Sequence, residues 1–251
     1  MTRIEIDGAP PTPARLWEVV SAYGHFTAMQ VRGGKVRGLD LHLRRLAAAN
    51  REAFGAGLDG DRVRALVRHA LDGTRDASVR VYVFEAPGEP ATMVTVRPPA
   101  EMAARWRLQP ARYQRPDPHI KHVATDQGHH RRRAERDGFD DAVLVGPGGE
   151  VAETTLANVG FLDGPAVVWP DAPLLRGITM QLLERELARR GVPVRRSAVR
   201  LADLASLDGA FVSSARGVGA VTAIGDVAFP AEPEGLRLLA ETYAAVPWDA
   251  I

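Results

Sequence analysis

The chain has 251 residues, enough for one large domain or two modest ones, and 45% of them are apolar, an ordinary share for a protein with a proper core. Its formal charge of +1 gives no global field to draw nucleic acid or a membrane surface, and the lack of any cysteine excludes a disulfide framework, a thiolate zinc site, an iron–sulfur cluster and a cysteine nucleophile together. No apolar run approaches the ~18 residues of a membrane span, and "MTRIEIDGAP" has no apolar stretch of the signal-peptide kind, so the expected location is cytoplasmic.

Along the chain, "RIEIDG" alternates and predicts a short strand, and "FTAMQVRGGKVRG" predicts two strands around the turn at Gly33-Gly34. "LDLHLRRLAAANREAF" is helical, with Leu39, Leu43, Leu46 and Ala47 on one face and Asp40 placed to cap it. "DRVRALVRHAL" is a second helix, and "ASVRVYVFEA" and "ATMVTVRP" are strands joined through Pro87-Gly88. The Pro-rich "PARYQRPDPHI" then reads as a linker. Beyond it, the polar run from His122 to Asp137 suits a helix, and "DDAVLVGPGGEVAETTLANVGFLDGPAVVWP" is strand and turn with a hairpin at Gly148-Gly149. "GITMQLLERELARRGV" is an amphipathic helix closed by Gly191, "GAFVSSARGVGAVTAIGDVAF" is strand, and "EPEGLRLLAETYAAV" is a closing helix. These elements predict an α+β protein of two domains: a small one over 1–112, a linker over 113–118, and a larger one over 119–251.

One residue type stands out. Of the 32 basic residues 30 are arginine, and Lys35 and Lys121 are the two lysines. A lysine amine can lose its proton and attack a carbonyl to form a Schiff base, which a guanidinium cannot do, so an imine-forming role would keep a lysine where arginine is otherwise preferred. A surface lysine that merely persisted is the plain alternative. Several other residues suit an imine-forming cofactor with a phosphate. Arg45 projects from the same side of its helix as His42, and "LLRGIT" puts Gly177, Ile178 and Thr179 at a helix start, where free N–H groups favour an anion. Glu153 is a carboxylate among apolar neighbours in "VAETTLANVGF".

In series, His42-Leu43-Arg44-Arg45-Leu46, Ile120-Lys121, Glu153 with Asn158-Val159, and Leu175-Arg176-Gly177-Ile178-Thr179 resemble the class IV pyridoxal-phosphate enzymes: branched-chain and D-amino-acid aminotransferases and aminodeoxychorismate lyases. The motifs run in family order over about 24–225. The resemblance implies a fold type IV enzyme like D-amino-acid aminotransferase, a homodimer, with pyridoxal 5′-phosphate between its two domains. It implies that Lys121 forms the internal aldimine and moves the proton between Cα and C4′. Arg45 would bind the cofactor phosphate with the N–H groups of Ile178 and Thr179, and the "FVSSAR" turn would add a contact from Ser214 or Ala215. Glu153 would pair with the pyridine nitrogen, and Leu175 would pack on the ring. The implied partners are an amino donor and a keto acid acceptor.

The substrate side departs from the family pattern. In "GHFTAM" Thr27 follows Phe26 where aminotransferases commonly have an acidic residue; Phe26 and Thr27 are the candidate substrate contacts, and the strand is more like the lyase type, although Gln30 replaces its arginine. "FEAPGEP" lacks the lyase's arginine-glycine segment, Thr154 replaces the glycine after the glutamate, and Gly160 replaces the aromatic after Asn-Val. Transamination is therefore the expected reaction, with aminodeoxychorismate lysis the first alternative and a non-catalytic binding protein on the same fold the second. A metal site at His119 and His122 would need a helix that Asp117-Pro118 disfavours, so no metal is expected. Acidic residues around "HHRRRAERD" make it a solvated helix rather than a nucleic-acid patch, and "RGVGAV" is a β turn.

Overall fold

The computed structural model describes residues 2–123 and 125–251. The first part of the chain forms β1 (Arg3–Ile6), α1 (Pro13–Ser21), β2 (Gly24–Val31), β3 (Lys35–Arg37), α2 (Leu39–Phe54), α3 (Gly60–Leu71), β4 (Ala77–Phe84) and β5 (Ala91–Arg97). Then come β6 (Arg105–Arg112), α4 (Gln127–Arg136), β7 (Asp141–Val145), β8 (Val151–Thr154), β9 (Asn158–Asp163), β10 (Ala166–Pro170), α5 (Ile178–Arg189) and β11 (Val194–Ser197). A 3-10 turn over Leu201–Ser206 leads to β12 (Gly209–Ser214), β13 (Gly217–Ile224), β14 (Val227–Ala228), α6 (Leu236–Ala244) and β15 (Trp248–Ala250). No helix among the described residues is long and apolar enough to cross a membrane.

Two compact units form. One takes the chain up to Ala100, the segment beginning at Ile120, and Pro247–Ile251; the other takes Glu101–His119 and Thr125–Val246. In the first, the antiparallel sheet runs β1-β5-β4-β2. Strand alternation turns Met29, Val31, Val79, Val81, Val83, Val94 and Val96 to one face, where they pack against Leu46 of α2 and Val63 and Val67 of α3. In the second, a nine-stranded mixed sheet runs β11-β10-β9-β12-β13-β6-β7-β8, with β14 on β13. One face carries α5 and α6, through Met180, Leu183, Leu187 and Leu239 on Trp169 and Phe211. The other face buries Trp106, Leu108, Val143, Val159, Phe161 and Val212.

These units divide the chain differently from 1–112, 113–118 and 119–251. Arg105–Arg112 is not an approach to a linker but β6, parallel to both β13 and β7 in the centre of the second sheet. Pro110 is accommodated there although proline removes a ladder donor. Residues 113–119 stay with the second unit, and Ile120 opens a return to the first.

Local chemistry explains most elements. Gly33 and Gly34 have φ of 59° and 76°, the left-handed pair a two-residue hairpin turn requires, and Arg32 and Lys35 exchange both backbone hydrogen bonds across it. α2 begins differently from the expectation. Asp40 lies inside its first turn and pairs with Arg44 at 2.6 Å, while the orphan N–H of Leu39 donates to Asp249 Oδ2 at 2.9 Å, from the other end of the chain. The polar run past His122 does become a helix, but from Gln127; His122 itself lies in an extended segment. α1 has no counterpart in the expected elements. Thr12 caps it, and Trp17 and Val20 stand exposed.

Candidate functional site

The expected site residues fall into two groups, one in each unit. In the first unit, helix spacing puts His42 and Arg45 of α2 on one side, facing β2. Arg45 Nη2 donates to Thr27 Oγ1, and the same hydroxyl lies 2.6 Å from His42 Nδ1. A guanidinium only donates, so the Thr27 hydroxyl accepts from Arg45, and its contact with Nδ1 fits either neutral tautomer of His42. Burial and the charge of Arg45 agree, holding the His42 pKa well below its ordinary value. Thr27 was a candidate substrate contact beside Phe26, but the two point to opposite faces of β2; Thr27 is fully buried and its hydroxyl is taken up by Arg45 and His42.

Arg45 is the electrostatic anomaly of this group. Part of its side chain remains accessible, yet its Nε is buried without a hydrogen-bond partner, and no acidic side chain pairs with it among the described residues. Burial pushes its pKa down to about 10, which still leaves it charged at neutral pH. A cation held this way without a counter-charge is costly.

Lys121 lies on the strand edge nearby. Its carbonyl accepts from Phe26 N at 2.8 Å, and its Nζ stands 5.0 Å from the centre of the Phe26 ring. Phe26 also stacks on Tyr82 at 5.1 Å, and the Arg80 guanidinium lies 5.8 Å from the same ring and donates to the Tyr82 hydroxyl at 3.1 Å. Nothing in the sequence marked Arg80: it reads as one polar residue in an alternating strand. Only the register that sets Phe26 opposite Tyr82 brings it to this face.

In the second unit, Glu153 of β8 is 6% exposed and accepts a hydrogen bond from Arg115 Nε at 2.8 Å. Arg115 is also buried, and its Nη2 donates to the Pro118 carbonyl. Arg115 was missed because it stands in "YQRPDPHI", 38 residues before its partner, in a stretch whose prolines read as a linker. From β8 the chain turns into β9, where Asn158 Nδ2 donates to the carbonyl of the buried Leu175 at 2.7 Å. That bond holds the start of α5. A Cβ at Gly177 would lie 2.0 Å from Asn158 Oδ1, so the close approach requires glycine there. No side chain caps α5, whose first turn is Ile178, Thr179 and Met180. Thr179 Oγ1 donates to the Ser214 carbonyl at 2.7 Å, tying this turn to the end of β12, where Ser214 and Ala215 enter the turn to β13. The Ser214 hydroxyl accepts from Arg216 N at 3.2 Å.

The buried histidines make stability depend on pH. Burial, reinforced by Arg45 and opposed in part by Asn50, lowers the His25 pKa to about 4 from its usual 6.5. Between those values the unfolded chain binds a proton that the native chain rejects. Stability is therefore complete above pH 6.5 and falls as the pH drops towards 4, by roughly 3 kcal/mol from His25, with His42 acting in the same direction. Urea unfolding at pH 7.0, 5.5 and 4.5 should show this slope, and His25→Asn should flatten it; a slope that the substitution leaves unchanged would remove His25 as its source.

Comparison with known proteins places the chain in a family. The family model described as amino-transferase class IV matches residues 24–224. No curated protein sequence matches the chain. Among solved structures, a hypothetical aminotransferase from Mycobacterium tuberculosis in its PLP-bound form is 22% identical, with a TM-score of 0.83 over 98% of both chains. The fold IV transaminase CpuTA1 from Curtobacterium pusillum is 19% identical, with a TM-score of 0.83 over 98% of this chain and 99% of that one. A Legionella pneumophila structure assigned as a 4-amino-4-deoxychorismate lyase is 17% identical, with a TM-score of 0.79 over 90% of this chain and 93% of that one.

Proposed function

The chain belongs to the class IV aminotransferase family, and from that premise we propose that it moves an amino group between an amino acid or amine and a keto acid, with pyridoxal 5′-phosphate as cofactor and Lys121 as the imine-forming lysine. The observation that carries this reading is Arg45: a buried guanidinium edge with an orphaned Nε and no acidic partner among the described residues, which suits a phosphate. The uncapped first turn of α5 offers the N–H groups of Ile178 and Thr179 to the same kind of group, and the turn at Ser214 and Ala215 adds a further contact.

The cofactor, when bound, supplies a carbonyl carbon that accepts an amine and a ring that draws electrons from the substrate's Cα. The chain's own residues do the rest. Lys121 Nζ would hold the cofactor between turnovers and, as a deprotonated amine, would serve as the base that moves the substrate's Cα proton. Glu153, fixed by Arg115, would hold the pyridine nitrogen and keep it protonated, and Leu175 would pack on the ring. Phe26 flanks the lysine amine, and Arg80, held by Tyr82 on the same face, offers a cation to a substrate carboxylate. The protein acts as a homodimer in the cytoplasm.

Lysis of aminodeoxychorismate is the competing reading, and its sequence support was the Thr of "GHFTAM". That support weakens because the Thr27 hydroxyl is engaged by Arg45 and His42. One experiment separates the two. The cofactor-loaded protein is mixed with L- and D-amino acids and aromatic amines without a keto acid, and its absorbance is followed. Conversion to the pyridoxamine spectrum, reversed by added keto acid, is the expected result; pyruvate from aminodeoxychorismate with no such conversion would establish the lyase instead. A protein that leaves no reduced pyridoxyl group on Lys121 after borohydride would be the non-catalytic binder.

A further inference from the structure

Lys121 sits in a short extended segment whose side chains alternate. Ile120 and His122 are each 5% exposed and point inward; Lys121 is half-buried and Val123 is exposed on the other side. Backbone bonds from Phe26 N to the Lys121 carbonyl at 2.8 Å and from Val123 N to the Gly24 carbonyl at 3.1 Å tie the segment to the edge strand β2. Such bonds are blind to side chains and would form as well one residue out of register. A slip by one residue would turn Lys121 into the buried face and His122 out of it.

The side chains break this degeneracy. His25 and His122 stand directly opposite each other, and the flanking bonds make theirs a non-hydrogen-bonded antiparallel pair, the kind in which side chains come closest. The His122 ring lies 5.7 Å from Tyr23, the His25 ring lies 5.7 Å from Phe54, and Tyr23 meets Phe54 edge-on at 6.4 Å. Four rings thus enclose the inward side of the segment. An ammonium turned into that enclosure would lose its hydration, whereas on the opposite side it meets the face of Phe26 at 5.0 Å.

The geometry points to His122 as the positioning residue for Lys121: its ring fixes the register of the segment on β2 and so decides which way the amine faces. The inference rests on the reading of Lys121 as the imine-forming lysine, but its test does not need the cofactor. The chain has two lysines, and exposed Lys35 on β3 is an internal reference. The cofactor-free full chain is labelled with trinitrobenzenesulfonate, and the Lys121 to Lys35 ratio is read by peptide mass spectrometry. His122→Ala should free the segment and raise the ratio at least about threefold, while His122→Phe, which keeps the ring, should stay within about threefold of wild type. An unchanged ratio in His122→Ala, or a rise in His122→Phe, overturns the inference. If His122→Ala does not fold by circular dichroism, His122→Phe decides alone: a ratio within that limit supports the ring's role and one beyond it overturns it. Borohydride mapping of the wild type reports separately on Lys121 as the cofactor's lysine, so the two readings fail by different observations.

Discussion

Lys121→Arg is expected to lower turnover by roughly three orders of magnitude or more while leaving the fold in place, because both imine formation and proton transfer need an amine that can give up its proton. Arginine is the mildest structural replacement available. It keeps the positive charge over the Phe26 ring, and the segment is tied to β2 through backbone hydrogen bonds and packs through His122. The chain uses arginine at 30 of its 32 basic positions, so the substitution follows its own preference everywhere but here. The guanidinium stays charged at any working pH and cannot attack a carbonyl. The variant should therefore unfold at the wild-type temperature in the absence of cofactor, lack the visible absorbance of the loaded protein and show no half-reaction with any amino donor. Turnover within tenfold of wild type would sink the assignment, since a residue replaceable by arginine forms no imine.

Much of this site was legible because its parts are local. A histidine and an arginine three apart on a helix, a lysine after an isoleucine, and a glycine opening a helix are patterns within one turn or one strand, and the chain folds them as read. What was not legible depends on contacts between distant parts of the chain. Arg115 belongs to Glu153 only because β6 and β8 join one sheet; in the sequence it is one arginine among prolines. Arg80 reaches Phe26 through the pairing of β2 with β4. Leu39 is capped by Asp249, 210 residues away, so the nearby Asp40 was the natural but mistaken choice. Thr27 was a candidate because it stands where aminotransferases of the family commonly have an acidic residue; the strand turns it to the face opposite Phe26, where its hydroxyl meets Arg45 and His42. The helix α1 escaped because its apolar residues Trp17 and Val20 remain exposed, so the usual link between apolar periodicity and a buried face does not hold there.

Arg45→Ala is expected to separate two quantities that mutations usually move together. Cofactor affinity should fall by the worth of a charge-assisted contact, about 1.5–3 kcal/mol, or roughly 10- to 150-fold in Kd. The stability of the cofactor-free chain should not fall with it. Arg45 has no acidic partner among the described residues and a buried Nε without a hydrogen-bond partner, so removing it relieves a desolvated cation rather than breaking an ion pair. Thr27 keeps its hydrogen bond to His42 Nδ1, and His42 loses one of the two influences that depress its pKa. The unfolding temperature of the apo variant should thus equal or exceed that of the wild type, while at saturating phosphate-bearing cofactor the wild type should melt higher, because ligand binding stabilises in proportion to affinity. Pyridoxal without its phosphate supplies the control: its affinity should be nearly the same for both proteins. Equal loss for pyridoxal and its phosphate would mean that Arg45 does not hold that group, and a large fall in apo stability would mean that its charge is compensated inside the chain after all.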